Sequence, residues 1–153
     1  MTKVVFGNHA ALRVPRAERE RLRRFYRDVL GCEITRAGDQ KDDIRLGDDF
    51  YVAFMYEDDD VALDESGFLK AVYLELKAAD VDEMRRKIVA FGVRVLEVPD
   101  PHLYFQAPGG QVLRLVGINE DLSRYEGTAH GEQFVGRAFE TTGGRPGSAS
   151  DGP

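Results

Sequence analysis

Histidine is scarce in this chain, with three among 153 residues, so each can be weighed for chemistry. His9 heads the alternating stretch GNHAALRVP. An imidazole there can ligate a metal or act as a general base near neutral pH. A lone histidine on a strand is more often a hydrogen-bonded structural residue, so His9 needs partners before it is a site. Tyr73 and Glu75 stand two apart in AVYLELKA, which puts both side chains on one face of a strand. His102 follows Asp100-Pro101 in what reads as a turn, and His130 lies in a polar C-terminal stretch. The single cysteine, Cys32, excludes an intrachain disulfide or thiolate cage and reads as a small buried hydrophobe. HExxH, GxSxG, the P-loop and GxGxxG are absent from the sequence. Serines are few and mostly C-terminal, which argues against a serine nucleophile.

The elements that position these residues belong to an ordinary soluble chain. Apolar residues make up 42% and charged residues 31%, with a net charge of −6. An acidic chain repels phosphate backbones, so nucleic acid is not expected as a partner. The basic cluster Arg16, Arg19, Arg21, Arg23, Arg24 and Arg27 is interleaved with Glu18, Glu20 and Asp28 and reads as a solvated helix face. No apolar run approaches a membrane span, and MTKVVFGNHAALRV lacks the apolar core of a secretory leader. A cytoplasmic protein is expected.

Residues 9–14 read as a strand and residues 17–30 as a helix. Leu22, Phe25, Tyr26 and Val29 form its buried stripe, and Gly31 stops it. CEITRA, DIRL and FYVAFMY follow as strands, separated by the turn-rich AGDQKDD and GDD. EDDDVALDESG reads as a solvated connection. The pattern then restarts. AVYLELKA is a strand, and Asp80 caps a helix in capping-box spacing with Glu83. Val81, Met84, Ile88 and Phe91 line that helix, and Gly92 ends it. VRVLEV, HLYFQA and QVLRLVG are strands, with APGG turning between the last two. One unit of strand, helix and three strands therefore occurs twice, over residues 4–57 and 70–117. Residues 118–140 read as an extension containing a short helix or a segment packed on the core or a partner. Residues 141–153 read as a disordered tail, being rich in Gly, Ser and Pro.

RRFYRDVLGCEI, the opening strand HAALRV, YLELKAADVDEM and the closing APGGQVLRLV together resemble the vicinal oxygen chelate superfamily. That group includes glyoxalase I, bleomycin-resistance proteins and extradiol dioxygenases. The resemblance covers residues 4–117. It implies an α+β fold of two tandem βαβββ modules whose curved mixed sheets form a cup. In metal-using members, ligands on the first and last strands of each module hold a divalent ion that polarises a chelated substrate.

Carried over position by position, the resemblance leaves one of four ligands. His9 occupies the first. Tyr73 stands where a histidine is common, and a phenol is a poor ligand at neutral pH. The closing position of module one falls near Ala53 or Met55. That of module two is Arg114, which replaces a glutamate with a fixed cation that cannot coordinate. The usual metal site is therefore expected to be absent, with no cofactor. The fallback is Mn, Zn, Ni or Fe held by His9 and Glu75; the plainer role for Glu75 is to pair with Arg114 on the neighbouring strand. His9, Tyr73, Glu75, Tyr104 and Arg114 are then expected to line a ligand cavity. Arg114 would grip an anion, and Tyr73 with Tyr104 or Phe105 would stack on a flat ring. Three readings follow: a metal-free protein binding an anionic or aromatic small molecule, a metal-dependent lyase, isomerase or dioxygenase, or a structural protein whose cup is filled by Phe54, Met55 and Tyr73. The resemblance also implies a homodimer.

Overall fold

The computed structural model describes residues 4–58, 67, 71–98, 100–122 and 137–141. The chain divides into two compact units, Met1–Leu63 with Pro108–Gln111, and Asp64–Ala107 with Val112–Pro153.

In the first unit, β1 (His9–Pro15) leads through a 3-10 turn (Arg16–Glu18) into α1 (Arg19–Arg24). A π turn (Phe25–Val29) follows, then β2 (Glu33–Arg36), β3 (Lys41–Leu46) and β4 (Phe50–Glu57). The sheet order is β1-β4-β3-β2, with β1 parallel to β4 and the other pairs antiparallel. The helix expected over residues 17–30 is thus not uniform. Its end is widened by a bond from the Leu30 amide to the Phe25 carbonyl at 3.1 Å. The wider turn accommodates two consecutive bulky rings, Phe25 and Tyr26, both fully buried, with Tyr26 against Phe54 at 5.0 Å. Val14, Ile44, Val52 and Phe54 complete this core on the helix side of the sheet.

A correction concerns Asp42 and Arg23. The sequence placed Asp42 in a turn and Arg23 on a solvated face. Asp42 instead lies in β3 with 0% exposure. Its carboxylate accepts from Arg23 Nε (2.7 Å) and Nη2 (2.9 Å), Tyr56 Oη (2.5 Å) and the Gly38 amide (3.0 Å). Four donors satisfy a buried acid, so it folds inside rather than out.

The turn Pro108–Gln111 packs with this unit. Gly109 has φ +90°, and a Cβ there would lie 2.6 Å from Leu22 Cδ1, so both the backbone and the packing require glycine.

In the second unit, β5 (Tyr73–Ala78) precedes α2 (Val81–Phe91), β6 (Arg94–Glu97), β7 (Leu103–Gln106) and β8 (Val112–Gly117). A further strand, β9 (Arg137–Glu140), completes the order β5-β8-β7-β6-β9. Asp80 caps α2 by accepting from the Glu83 amide at 2.8 Å, as the spacing predicts. The first four strands repeat the order of the first sheet, which is the α+β double module read from the sequence. The described end of the extension is a strand rather than a helix, antiparallel to β6 with Val95 opposite Phe139. Thr141, read as the first residue of a disordered tail, bonds Val93 through both its amide and its hydroxyl. The remaining tail, the acidic connection over 59–66 and His130 lie outside the described residues. Among the described residues, no helix is long and apolar enough to cross a membrane.

Candidate functional site

Period-two alternation sorts each sheet into two faces. In the second unit Leu74, Leu76, Leu113, Leu115 and Phe105 alternate with Tyr73, Glu75, Val112, Arg114 and Tyr104. The strand register then does the positioning. β5 and β8 run parallel, with Tyr73 beside Val112 and Glu75 beside Arg114. β7 lies antiparallel on the other side of β8, with Tyr104 beside Arg114. Tyr73, Glu75, Tyr104 and Arg114, four of the five residues expected in the cavity, thus converge on one face of one sheet.

Arg114 is the centre of that group and is 5% exposed. Its Nη1 is 3.7 Å from Glu75 Oε2 and its Nη2 3.8 Å from Asp100 Oδ2. Its Cζ lies 6.0 Å from the Tyr73 ring centre and 5.6 Å from that of Tyr104, within reach of cation–π attraction. The two rings meet edge to face at 5.5 Å and 83°. Tyr104 is buried, whereas Tyr73 is 41% exposed and presents its ring to whatever lies over the sheet. Glu75 pairs with Arg114 as strand adjacency predicts.

Asp100 and His102 were read only as turn residues, and Glu120 only as part of the extension; all three belong to the same cluster. Asp100 accepts from the His102 amide at 2.8 Å, from Tyr104 Oη at 2.9 Å and from His102 Nδ1. On the other side of the ring, His102 Nε2 is 2.5 Å from Glu120 Oε1. Burial pushes the Asp100 carboxyl up, but the donors from His102 and Tyr104 outweigh it and hold it below the usual aspartate range. Burial, then the bond to Asp100, pushes the Tyr104 phenol up. The legible signal was Asp100-x-His102-x-Tyr104, a period-two spacing running into a strand.

His9 belongs to the first unit, in β1 of its sheet. Its ring stacks on Tyr51 at 5.4 Å, and Nδ1 is 2.6 Å from Asn8 Oδ1. The repeat also settles which residue of module one corresponds to Arg114. His9 is level with Tyr51, and Tyr73 with Val112. Two residues on, Ala11 beside Ala53 matches Glu75 beside Arg114. Cys32 is partly buried, and burial pushes its thiol up to about 11, which keeps it protonated and unreactive.

The donor chemistry does not suit a divalent ion here. Arg114 places a permanent cation against Glu75. Asp100 and Glu120 lie on opposite sides of the His102 ring, so the three cannot converge on one metal. Among the described residues, no group of three or more His, Cys, Asp or Glu could hold one.

No protein-family model matches the chain, and no curated protein does. Solved structures do. A Bacillus cereus protein named a possible glyoxalase superposes with a TM-score of 0.56 at 20% identity, covering 74% of this chain and 99% of its own. TnmS3, an antibiotic-binding protein from a Streptomyces species, gives 0.51 at 17% identity, with 76% and 98% covered. The lactoylglutathione lyase of Agrobacterium tumefaciens gives 0.50 at 19% identity, with 75% and 94% covered. The chain therefore has the vicinal oxygen chelate fold, two glyoxalase-like modules whose sheets are not closed.

Proposed function

We propose that this protein binds a small molecule on the Tyr73–Glu75–Arg114 face of its second sheet and does so without the divalent metal of the glyoxalase-type enzymes. A fold shared with both an antibiotic-binding protein and a lyase cannot choose between binding and catalysis; side chains must. The observation that carries the reading is Arg114, buried in the closing strand beside Glu75 and next to a pair of tyrosine rings. A dication close to that guanidinium would be repelled by roughly 8 kcal/mol at 4 Å and an effective dielectric of about 20. The same cation supports recognition of a carboxylate. Glu75 faces it at 3.7 Å, longer than a hydrogen bond, and is itself exposed. A ligand carboxylate that displaced Glu75 into water would gain forked, charge-assisted bonds at the cost of a weak surface pair. Tyr73 offers its exposed ring to an aromatic group on the same ligand. Two chains forming a homodimer is part of this proposal.

The test is calorimetric titration with a planar aromatic carboxylate, naphthalene-2-carboxylate, against its uncharged amide, alongside Mn, Zn, Ni and Fe(II). The acid should bind more tightly than the amide, and Tyr73→Ala or Arg114→Met should weaken it about tenfold or more. Near-stoichiometric metal binding abolished by His9→Ala or Glu75→Ala would overturn the reading in favour of a lyase, isomerase or dioxygenase. That alternative must take Glu75 away from Arg114.

A further inference from the structure

Among the cluster around Arg114, one side chain is held in a way that ligand binding does not require. His102 has both ring nitrogens on carboxylates, Asp100 at Nδ1 and Glu120 at Nε2, and its side chain is 8% exposed. A neutral imidazole has one N–H and can donate to only one of them; the imidazolium donates to both. The two acids tie down different parts of the chain. Asp100 sits in the turn that enters β7. Glu120 lies after β8, where its Oε2 also accepts from the Gly117 amide at 3.0 Å and its own amide donates to the Gly117 carbonyl at 3.2 Å.

We propose that His102 is a proton-operated latch that fastens the segment after β8, through Glu120, onto the start of β7. Loss of one proton forces a choice between the carboxylates. Asp100 is the more buried, and its other donors are the His102 amide and Tyr104 Oη. Leaving a buried acceptor without its donor costs more than returning an exposed one to water. Glu120 is the more exposed acid. The remaining proton therefore stays on Nδ1 toward Asp100, and the Glu120 contact is the one released. Arg114 Nη2 also stands 3.3 Å from Nδ1 and can only donate, but the Asp100 carboxylate is much closer to the same nitrogen, so Nδ1 keeps its proton. Arg85 of α2 and Glu97 of β6 are the other charged groups that share with His102, Asp100 and Phe139 the lining of a groove of about 330 Å³.

At the acid end the latch holds as long as both carboxylates stay ionised. Asp100 is held low against burial by the His102 amide, Tyr104 and the ring, and Glu120 by the Gly117 amide and His102. The latch is thus closed while the ring carries both protons and opens when it gives one up.

The experiment is an NMR pH titration of the full chain carrying His9→Asn and His130→Asn, which leaves one histidine to observe. The Gly117 and Glu120 amide shifts should follow the His102 ring with one midpoint. Gly117 exchange, corrected for its intrinsic pH dependence, should be about fivefold faster above that midpoint, the loss of one ordinary hydrogen bond. Glu120→Gln, an exposed substitution that leaves the fold intact, should abolish the coupled shift of Gly117 while the ring still titrates. Amide shifts that stay flat through the ring's titration, or that move equally in Glu120→Gln, overturn the latch. A ring that does not titrate between pH 5 and 9 overturns it too.

Discussion

The two modules share a strand order and, among the described residues, each buries one charged side chain, but they do so on opposite faces and with different contacts. In module one the buried charge is Asp42, on the helix side of its sheet. It meets an arginine from α1, a tyrosine hydroxyl and an amide at 2.5–3.0 Å. In module two it is Arg114, on the face away from the helix, and its carboxylates stand at 3.7 and 3.8 Å. Short bonds that saturate an acid hold a fold together. The longer carboxylate contacts around a cation, beside a half-exposed tyrosine, are the ones that the proposed ligand would replace. The two modules share the scaffold, while Ala11 and Ala53 against Glu75 and Arg114 mark where the two faces differ.

The largest effect is expected from Asp42→Ala. It strands the Arg23 guanidinium and the Tyr56 hydroxyl in a buried site and should cost about 3–5 kcal/mol, read from urea unfolding. Gly109→Ala comes next. It forces a Cβ to within 2.6 Å of Leu22 at a left-handed φ and should cost about 2–4 kcal/mol by the same measurement. Arg114→Met tests the comparison directly. It removes a partner from Asp100 and Glu75 but leaves Asp100 its other donors, so a loss of about 1–2 kcal/mol is expected. A loss as large as that of Asp42→Ala would mean that the second cluster is as structural as the first, and the contrast would fail.

Acid sharpens the same contrast. Burial raises the Asp42 carboxyl, but Arg23, Tyr56 and the Gly38 amide outweigh it, so its folded pKa lies below the ordinary 3.8. A depressed carboxylate contributes stability above its unfolded pKa and loses it as pH falls through the folded value. Stability should therefore drop below about pH 4, and Asp42→Asn should flatten that drop. The smallest effect belongs to Tyr73→Ala. At a 41% exposed position with one ring contact to Tyr104, it should cost about 0.5–1 kcal/mol while weakening binding of the aromatic acid about tenfold or more, which separates a ligand contact from a fold contact.

The sequence by itself determined the doubled βαβββ pattern, the stripes of both helices and the Asp80 cap, each of which rests on local periodicity. Its resemblance to the vicinal oxygen chelate superfamily singled out Tyr73, Glu75, Tyr104 and Arg114. Their even spacing keeps them on one face, and the register of β5, β8 and β7 brings them level. What it could not determine was the partner of each charge. Asp42 and Arg23 looked like solvated residues because local composition says only that a charge is affordable at the surface. Whether it folds inward depends on four donors arriving from α1, β4 and the turn before β3. His102 looked like a turn residue because the acid on its far side comes from the chain after β8, 18 residues away. Desolvation makes a charge costly anywhere in the interior, and only the tertiary structure decides where enough donors and acceptors meet to offset that cost.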